Sequence, residues 1–173
     1  MTTDNILKKS FGWIGTMGPY LLNIVSFFLL SSNPVFLLFY ILGAFINIMI
    51  NFTLKVWIQD PRPKEDIKLF ELGVKHGKRS TFDQYGMPSG HSQSVGFSLA
   101  YIFLTLYNTN ISLFYSTISL ITLMQRFEYK NHTFPQIIVG FLLGLFLGYV
   151  FYQIAKRMTK GKINAKPDDN FFL

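Results

Sequence analysis

Five long apolar runs, separated by short polar breaks and one long charged connection, set the pattern of the chain. They cover residues 11–32, 35–58, 89–107, 110–127 and 132–155, and each approaches the ~20 residues that a helix needs to cross a bilayer. The pattern predicts an all-α fold, a polytopic membrane helix bundle of about five transmembrane helices forming one domain over residues 1–173. Gly18-Pro19 predicts a kink in the first run, and Ser31-Ser32-Asn33-Pro34 a short turn after it. The break at Asn108-Thr109-Asn110 is tight, which makes the third and fourth helices antiparallel neighbours. In the last run Gly140, Gly144 and Gly148 recur every four residues and give a smooth face for close packing. The first ten residues are polar, and the run after them is longer than a signal-peptide core, so a retained first span is expected.

The 59–87 connection is the long hydrophilic one. Pro61 and Pro63 end the second helix. Beyond them Ile67, Phe70 and Val74 recur at i, i+3, i+7 between charges, predicting a short amphipathic helix in the membrane interface. Residues 156–173 read as a basic tail, disordered from 167 onward.

Polar positions inside the apolar runs are the informative exceptions. Asn47, Asn51 and Lys55 lie at i, i+4, i+8, on one helix face. Such a stripe faces protein or a water-filled site. With five spans, the ends of the second and fourth and the starts of the third and fifth emerge on one side. Lys55, Arg62, His91, Arg126 and His132 then meet at a single membrane face.

Composition sharpens this picture. Half the residues are hydrophobic, 17% are aromatic and only 14% are charged, where a soluble domain carries about a quarter. The net charge of +7 sits beside apolar spans, so anionic headgroups or phosphate substrates account for it and a nucleic-acid partner does not. With no cysteine there is no thiol chemistry.

The segment Tyr85-Gly-Met-Pro-Ser-Gly-His-Ser-Gln93 opens the third run. Pro88, Ser89 and Gly90 make a turn into a helix start, with Ser89 as the expected cap. Backbone N–H groups there lack intrahelical partners and favour an anion, with His91 beside it. Two further clusters accompany it: Lys55 with Arg62-Pro63, and Arg126 followed by His132 and Gln136. Together they resemble the three-part signature K-x6-RP, PSGH and SR-x5-H-x3-D of the type 2 phosphatidic acid phosphatase superfamily. The resemblance covers roughly residues 55–144. Gln125 stands where that pattern has Ser, and Gln136 where it has Asp. The dolichyl diphosphatase branch is similar in its second motif and in a His-Thr-x-x-Gln third motif, here His132-Thr133-Phe134-Pro135-Gln136.

That resemblance implies a lipid phosphatase acting on a polyprenyl diphosphate, with phosphatidate or another lipid monophosphate as the alternative substrate. A catalytically impaired lipid-phosphate-binding protein is the alternative from another class. Lys55, Arg62 and Arg126 would neutralise phosphate oxygens, while Ser89 and the Gly90 N–H would add hydrogen bonds. By the family pattern, His132 would attack phosphorus and His91 would protonate the leaving oxygen. Gln136, one turn beyond His132, can accept from its other ring nitrogen without adding a negative charge. A diphosphate, with its better leaving group, suits that weaker activation. No metal or other cofactor is expected, since fixed cations take the place of ions. His76 reads as solvated surface, and Asp60 and Asp83 as acids within reach of the site. Lys156, Arg157, Lys160, Lys162 and Lys166 weight the C-terminal side as cytosolic. The active site then faces the lumen or exterior of an endoplasmic reticulum-type membrane. Oligomeric state is not encoded in these patterns.

Overall fold

A computed structural model describes residues 3–75 and 84–164. Six helices follow one another: α1 Thr3–Leu30, α2 Pro34–Ile58, α3 Lys64–Lys75, α4 Gly90–Leu106, α5 Thr109–Glu128 and α6 Phe134–Asn164. No strand occurs among the described residues. His76, Asp83 and the segment 165–173 lie outside them.

The helices outrun the apolar runs at both ends of the chain. α1 begins at Thr3 and takes in Lys8 and Lys9, and it runs through Pro19 as one helix. α6 carries on past Lys156 and Arg157 to Asn164, so this part of the basic segment is helical. Lysine and arginine are good helix formers. Polarity ends an apolar run without ending a helix. The α4–α5 connection is correspondingly short: Asn108 caps α5, its side chain accepting from the N–H groups of Asn110 and Ile111 at 3.0 and 3.1 Å. α3 is present where the apolar periodicity placed it, with Asp66 and Glu65 in its first turn.

α4 is the centre of the bundle, packed against α1, α2, α5 and α6. Its contact with α6 is the closest. A Cβ on Gly140 would meet the Ser89 backbone, and one on Gly144 the Gln93 carbonyl. α1 lies on α5 through a second small-residue face, where Gly12, Gly15 and Gly18 abut Tyr129, Gln125 and Thr122. The core joins Leu22, Leu30, Tyr40, Val95, Phe97, Tyr101, Tyr115 and Phe151. Its hydroxyls are matched inside: Tyr40 Oη lies 2.8 Å from Ser98 Oγ, and Tyr101 donates to the Phe36 carbonyl at 2.7 Å.

The outer surface reverses the soluble arrangement. Phe28, Leu38, Phe45, Trp57, Leu113, Leu142 and Phe146 are exposed, while Asn47, Asn51, Gln93, Thr122 and Gln125 are buried. Three helices are long and apolar enough to cross a membrane, over Asn5–Leu30, Pro34–Ile58 and Phe134–Thr159. α4 and α5 do not reach that measure. α4 has 17 residues, and its sides meet other helices, so it has little need of a lipid-compatible surface. α5 is diluted by Ser112, Ser116, Thr117, Ser119 and Thr122.

Candidate active site

The ends of α2 and α5 and the starts of α4 and α6 come together, as the run order requires, and each is tied to another. At the foot of α2, the buried Lys55 ammonium donates to the Tyr85 carbonyl at 2.8 Å. One turn earlier Asn51 donates to the Pro88 carbonyl at 3.1 Å and to Gln93 Oε1 at 2.7 Å. Gln93 Nε2 returns to α2 through the carbonyl and side-chain oxygens of Asn47, both at 2.9 Å. The polar stripe of α2 therefore faces protein: Asn47, Asn51 and Lys55 are all buried.

Ser89 occupies the N-cap of α4 but makes no side-chain capping bond. This corrects the expected role. Its hydroxyl accepts from Ser92 Oγ at 3.0 Å, and its N–H donates to the Gln136 carbonyl at 3.0 Å. Gly90 and the half-buried His91 open the helix directly beyond this anchored turn. Gly90 sits close to Asn51, whose Oδ1 lies 3.2 Å from where a Cβ would stand.

Arg62 is buried and organised by the short helix α3. Its Nη1 donates to Asp66 Oδ2 at 3.0 Å and to the Asn131 carbonyl at 3.2 Å. Asp66 Oδ1 accepts from Asn131 Nδ2 at 2.9 Å. One carboxylate thus fixes a guanidinium and the loop that carries His132. Arg126, at the last turn of α5, donates through Nη2 to Thr16 Oγ1 at 3.0 Å and through Nε to Gln125 Oε1. Its carbonyl receives the N–H groups of Asn131 and His132 at 3.1 and 3.3 Å.

His132 stands in the connection between α5 and α6, outside both helices, with its Nδ1 3.2 Å from Gln136 Oε1. The amide is held at both ends by groups with only one possible role. Oε1 accepts from the Thr133 N–H at 3.0 Å, and Nε2 donates to the Pro61 carbonyl at 2.8 Å. Backbone N–H can only donate and carbonyl only accept, so oxygen and nitrogen are assigned without ambiguity. The oxygen faces the imidazole. Nδ1 therefore carries the proton, and Nε2 keeps its lone pair. Burial holds the imidazole well below its usual pKa of 6.5, and the positive charges of Arg62, Lys55 and Arg126 push in the same direction. The Gln136 bond opposes them. At neutral pH the ring is uncharged, in the tautomer a nucleophile needs.

Several contributors were not singled out by residue patterns alone. Asp66 looked like an ordinary first-turn acid of an amphipathic helix, yet it is buried. Thr16 lies on α1, before the first motif. Asp60, expected within reach of the site, does contact it: it accepts from Gln136 Nε2. Gly86 lies flat on the amide: a Cβ there would run into Gln136. Among the described residues no group of three or more His, Asp or Glu gathers as a metal cage would require.

Two depressions open beside these groups. One of about 400 Å³ is bordered by His132, Pro63, Lys130 and Phe134. The other, of about 430 Å³, has mostly apolar walls that include Ile67, Val74, Pro61 and Tyr85, with Arg62 among its lining residues.

The chain also has known relatives. The family model of the PAP2 superfamily matches residues 36–160. Among curated relatives, a dolichyldiphosphatase of Saccharomyces cerevisiae is 29% identical over 122 residues, covering 65% of this chain and 48% of the relative. Dolichyldiphosphatase 1 of Homo sapiens is 29% identical over 150 residues, 76% of this chain and 59% of its own length. A palmitoyl-protein thioesterase-dolichyl pyrophosphate phosphatase fusion of Schizosaccharomyces pombe is 26% identical over 147 residues, 22% of that protein. The matched region is thus less than two thirds of each of these relatives. No solved structure matches.

Proposed function

Because the chain belongs to the PAP2 superfamily, we propose that it is a membrane phosphatase hydrolysing a polyprenyl, dolichyl-type diphosphate to the monophosphate. The observation that carries this reading is the locked His132–Gln136 pair, with Lys55, Arg62 and Arg126 acting on the same imidazole. The names of the relatives support the choice of a polyprenyl diphosphate over phosphatidate.

In this mechanism the three cations and the start of α4, with Ser89 and Gly90, hold the terminal phosphate. His132 Nε2 attacks its phosphorus. An N–P bond forms as the bridging P–O bond breaks, and the lipid monophosphate leaves with a proton from His91. Water then attacks the phosphohistidine, returns a proton to His91 and releases inorganic phosphate. Fixed cations neutralise the equatorial oxygens throughout, so the reaction proceeds without a metal. The whole chain acts as one membrane domain with five crossings, α4 and α5 completing the set inside the bundle. α6 then carries its basic end to the cytosolic face and leaves the site lumenal or exterior.

Phosphate release by the detergent-purified protein with a chelator present tests the proposal, with His132→Ala as the blank. Polyprenyl diphosphate is expected to be preferred, with His132→Ala at background. Preference for phosphatidate changes the substrate, and no release from either by folded protein moves the weight to lipid-phosphate binding. Gln136→Asp is expected to raise monophosphate hydrolysis relative to diphosphate. An unchanged ratio separates the glutamine from substrate choice.

A further inference from the structure

We propose that Asp60 is a positioning residue that supplies, through the Gln136 amide, the negative charge His132 needs as it takes up a phosphoryl group. The proposal rests on the reading of His132 as nucleophile. Three groups stand in line: the His132 ring, the Gln136 amide and the Asp60 carboxylate. Gln136 Oε1 meets His132 Nδ1 at 3.2 Å, and Gln136 Nε2 donates to Asp60 Oδ2. The amide cannot turn over, because Thr133 N–H and the Pro61 carbonyl fix its two ends.

A carboxylate at the N–H end of an amide draws that proton toward itself and makes the oxygen a stronger acceptor. The need is plain from the surroundings. Attack through Nε2 leaves the ring cationic, with Nδ1–H still in place, and the charges already acting on it from Arg62, Lys55 and Arg126 are all positive. A neutral amide alone would offer no countercharge. Of the two neighbouring carboxylates, Asp66 is committed to Arg62 and Asn131, whereas Asp60 is bonded to the amide that faces the ring. Its backbone is held too, since Gly86 N–H donates to the Asp60 carbonyl at 2.8 Å. The step moves no proton to Asp60: the Gln136 N–H stays on its nitrogen. The charge that other family members place at the fourth position after the histidine is here one hydrogen bond further away, on a different motif.

Asp60→Asn tests this, because it keeps an oxygen for Gln136 and removes only the charge. A fall in kcat of about tenfold or more is expected, by analogy with the loss of a metal-bound histidine's outer hydrogen-bond partner, with KM nearly unchanged. Asp60→Asn combined with Gln136→Asp restores a carboxylate at the ring and is expected to recover most of the loss. In wild-type protein the His132 Nδ1–H resonance, assigned by its absence in His132→Ala, is expected to move upfield in Asp60→Asn. If Asp60→Asn does not fold, Asp60→Glu should retain far more turnover than Asp60→Ala. Unchanged kcat in Asp60→Asn, a loss that the double variant does not recover, or an unmoved resonance overturns the proposal. A wild-type protein that turns over no lipid phosphate sinks the phosphatase reading instead, and the resonance still decides for Asp60.

Discussion

The same helix, α4, is seated by two seams of opposite character. Against α6 it is held by shape: Gly140 and Gly144 let the backbones touch, at Ser89 and at Gln93. Against α2 it is held by amides, Asn51 and Asn47 bonding to Gln93. Between lipid-exposed helices there is no hydrophobic drive to associate, so packing and hydrogen bonds must do the holding. The glycine seam sets how near α4 stands to His132 and Gln136. The amide seam sets its rotation and reaches the Pro88 carbonyl. The turn that opens α4 is clamped from both sides.

Gly144→Leu is the harshest way to break this pairing. The new side chain starts on the Gln93 carbonyl, and overpacking costs about 1–3 kcal/mol and occasionally more. With backbone as the obstacle, no monodisperse folded peak is expected in detergent; a normal peak would mean that the seam does not set the spacing. Gln93→Leu attacks the other seam more gently. It removes three bonds and strands two buried asparagines, worth about 2 kcal/mol together. The protein should fold, melt several degrees lower and lose turnover as Asn51 lets go of the Pro88 turn. Full turnover at reduced stability would confine the amides to a structural part.

A third measurement separates the seams from what they hold in place. His132 is kept neutral in the folded state and titrates near 6.5 when unfolded, so below that pH the unfolded chain binds the extra proton. Stability should fall as pH drops through 6.5, by at most about 1.4 kcal/mol per unit, until the folded-state pKa is reached. His132→Ala should lose that slope while keeping both seams intact, and an identical slope would assign it to another group. The mildest change is Lys130→Ala. Its bond to Glu65, 2.9 Å long, holds that carboxyl below its usual range, but both side chains are exposed. No resolvable change in thermal melting is expected, because solvent screens so exposed a pair.

Much of this was legible in residue order. Apolar runs announced the long helices, the four-residue glycine spacing announced a closely packed face on α6 though not its partner, and the stripe Asn47, Asn51, Lys55 announced a buried polar face. What escaped has a common cause. Asp66 lies in a charged connection, where an acid that organises an arginine looks like one facing water; Asp60 was placed within reach of the site, but not its bond to the Gln136 amide. Thr16 sits on a helix whose face toward α5 is made of Gly12, Gly15 and Gly18, a three-residue spacing hidden within an apolar run. Helix ends at Thr3 and Asn164 were misjudged because polarity was read as a boundary, although lysine-rich sequence remains helical. Ser89 does sit at the N-cap, but its hydroxyl accepts from the Ser92 side chain and from no backbone N–H of the first turn.

The double anchoring of Gln136 leaves the molecule open to a quiet form of chemical ageing. Deamidation would exchange a single NH2 for an oxygen, with almost no change in size. That oxygen would face the Pro61 carbonyl and the Asp60 carboxylate, two acceptors where a donor is required. Two acids sharing such a site cannot both stay ionised, so the pair would have to capture a proton. A protein aged in this way would keep its fold and its histidine, yet its histidine's orienting amide would have become a second titrating acid.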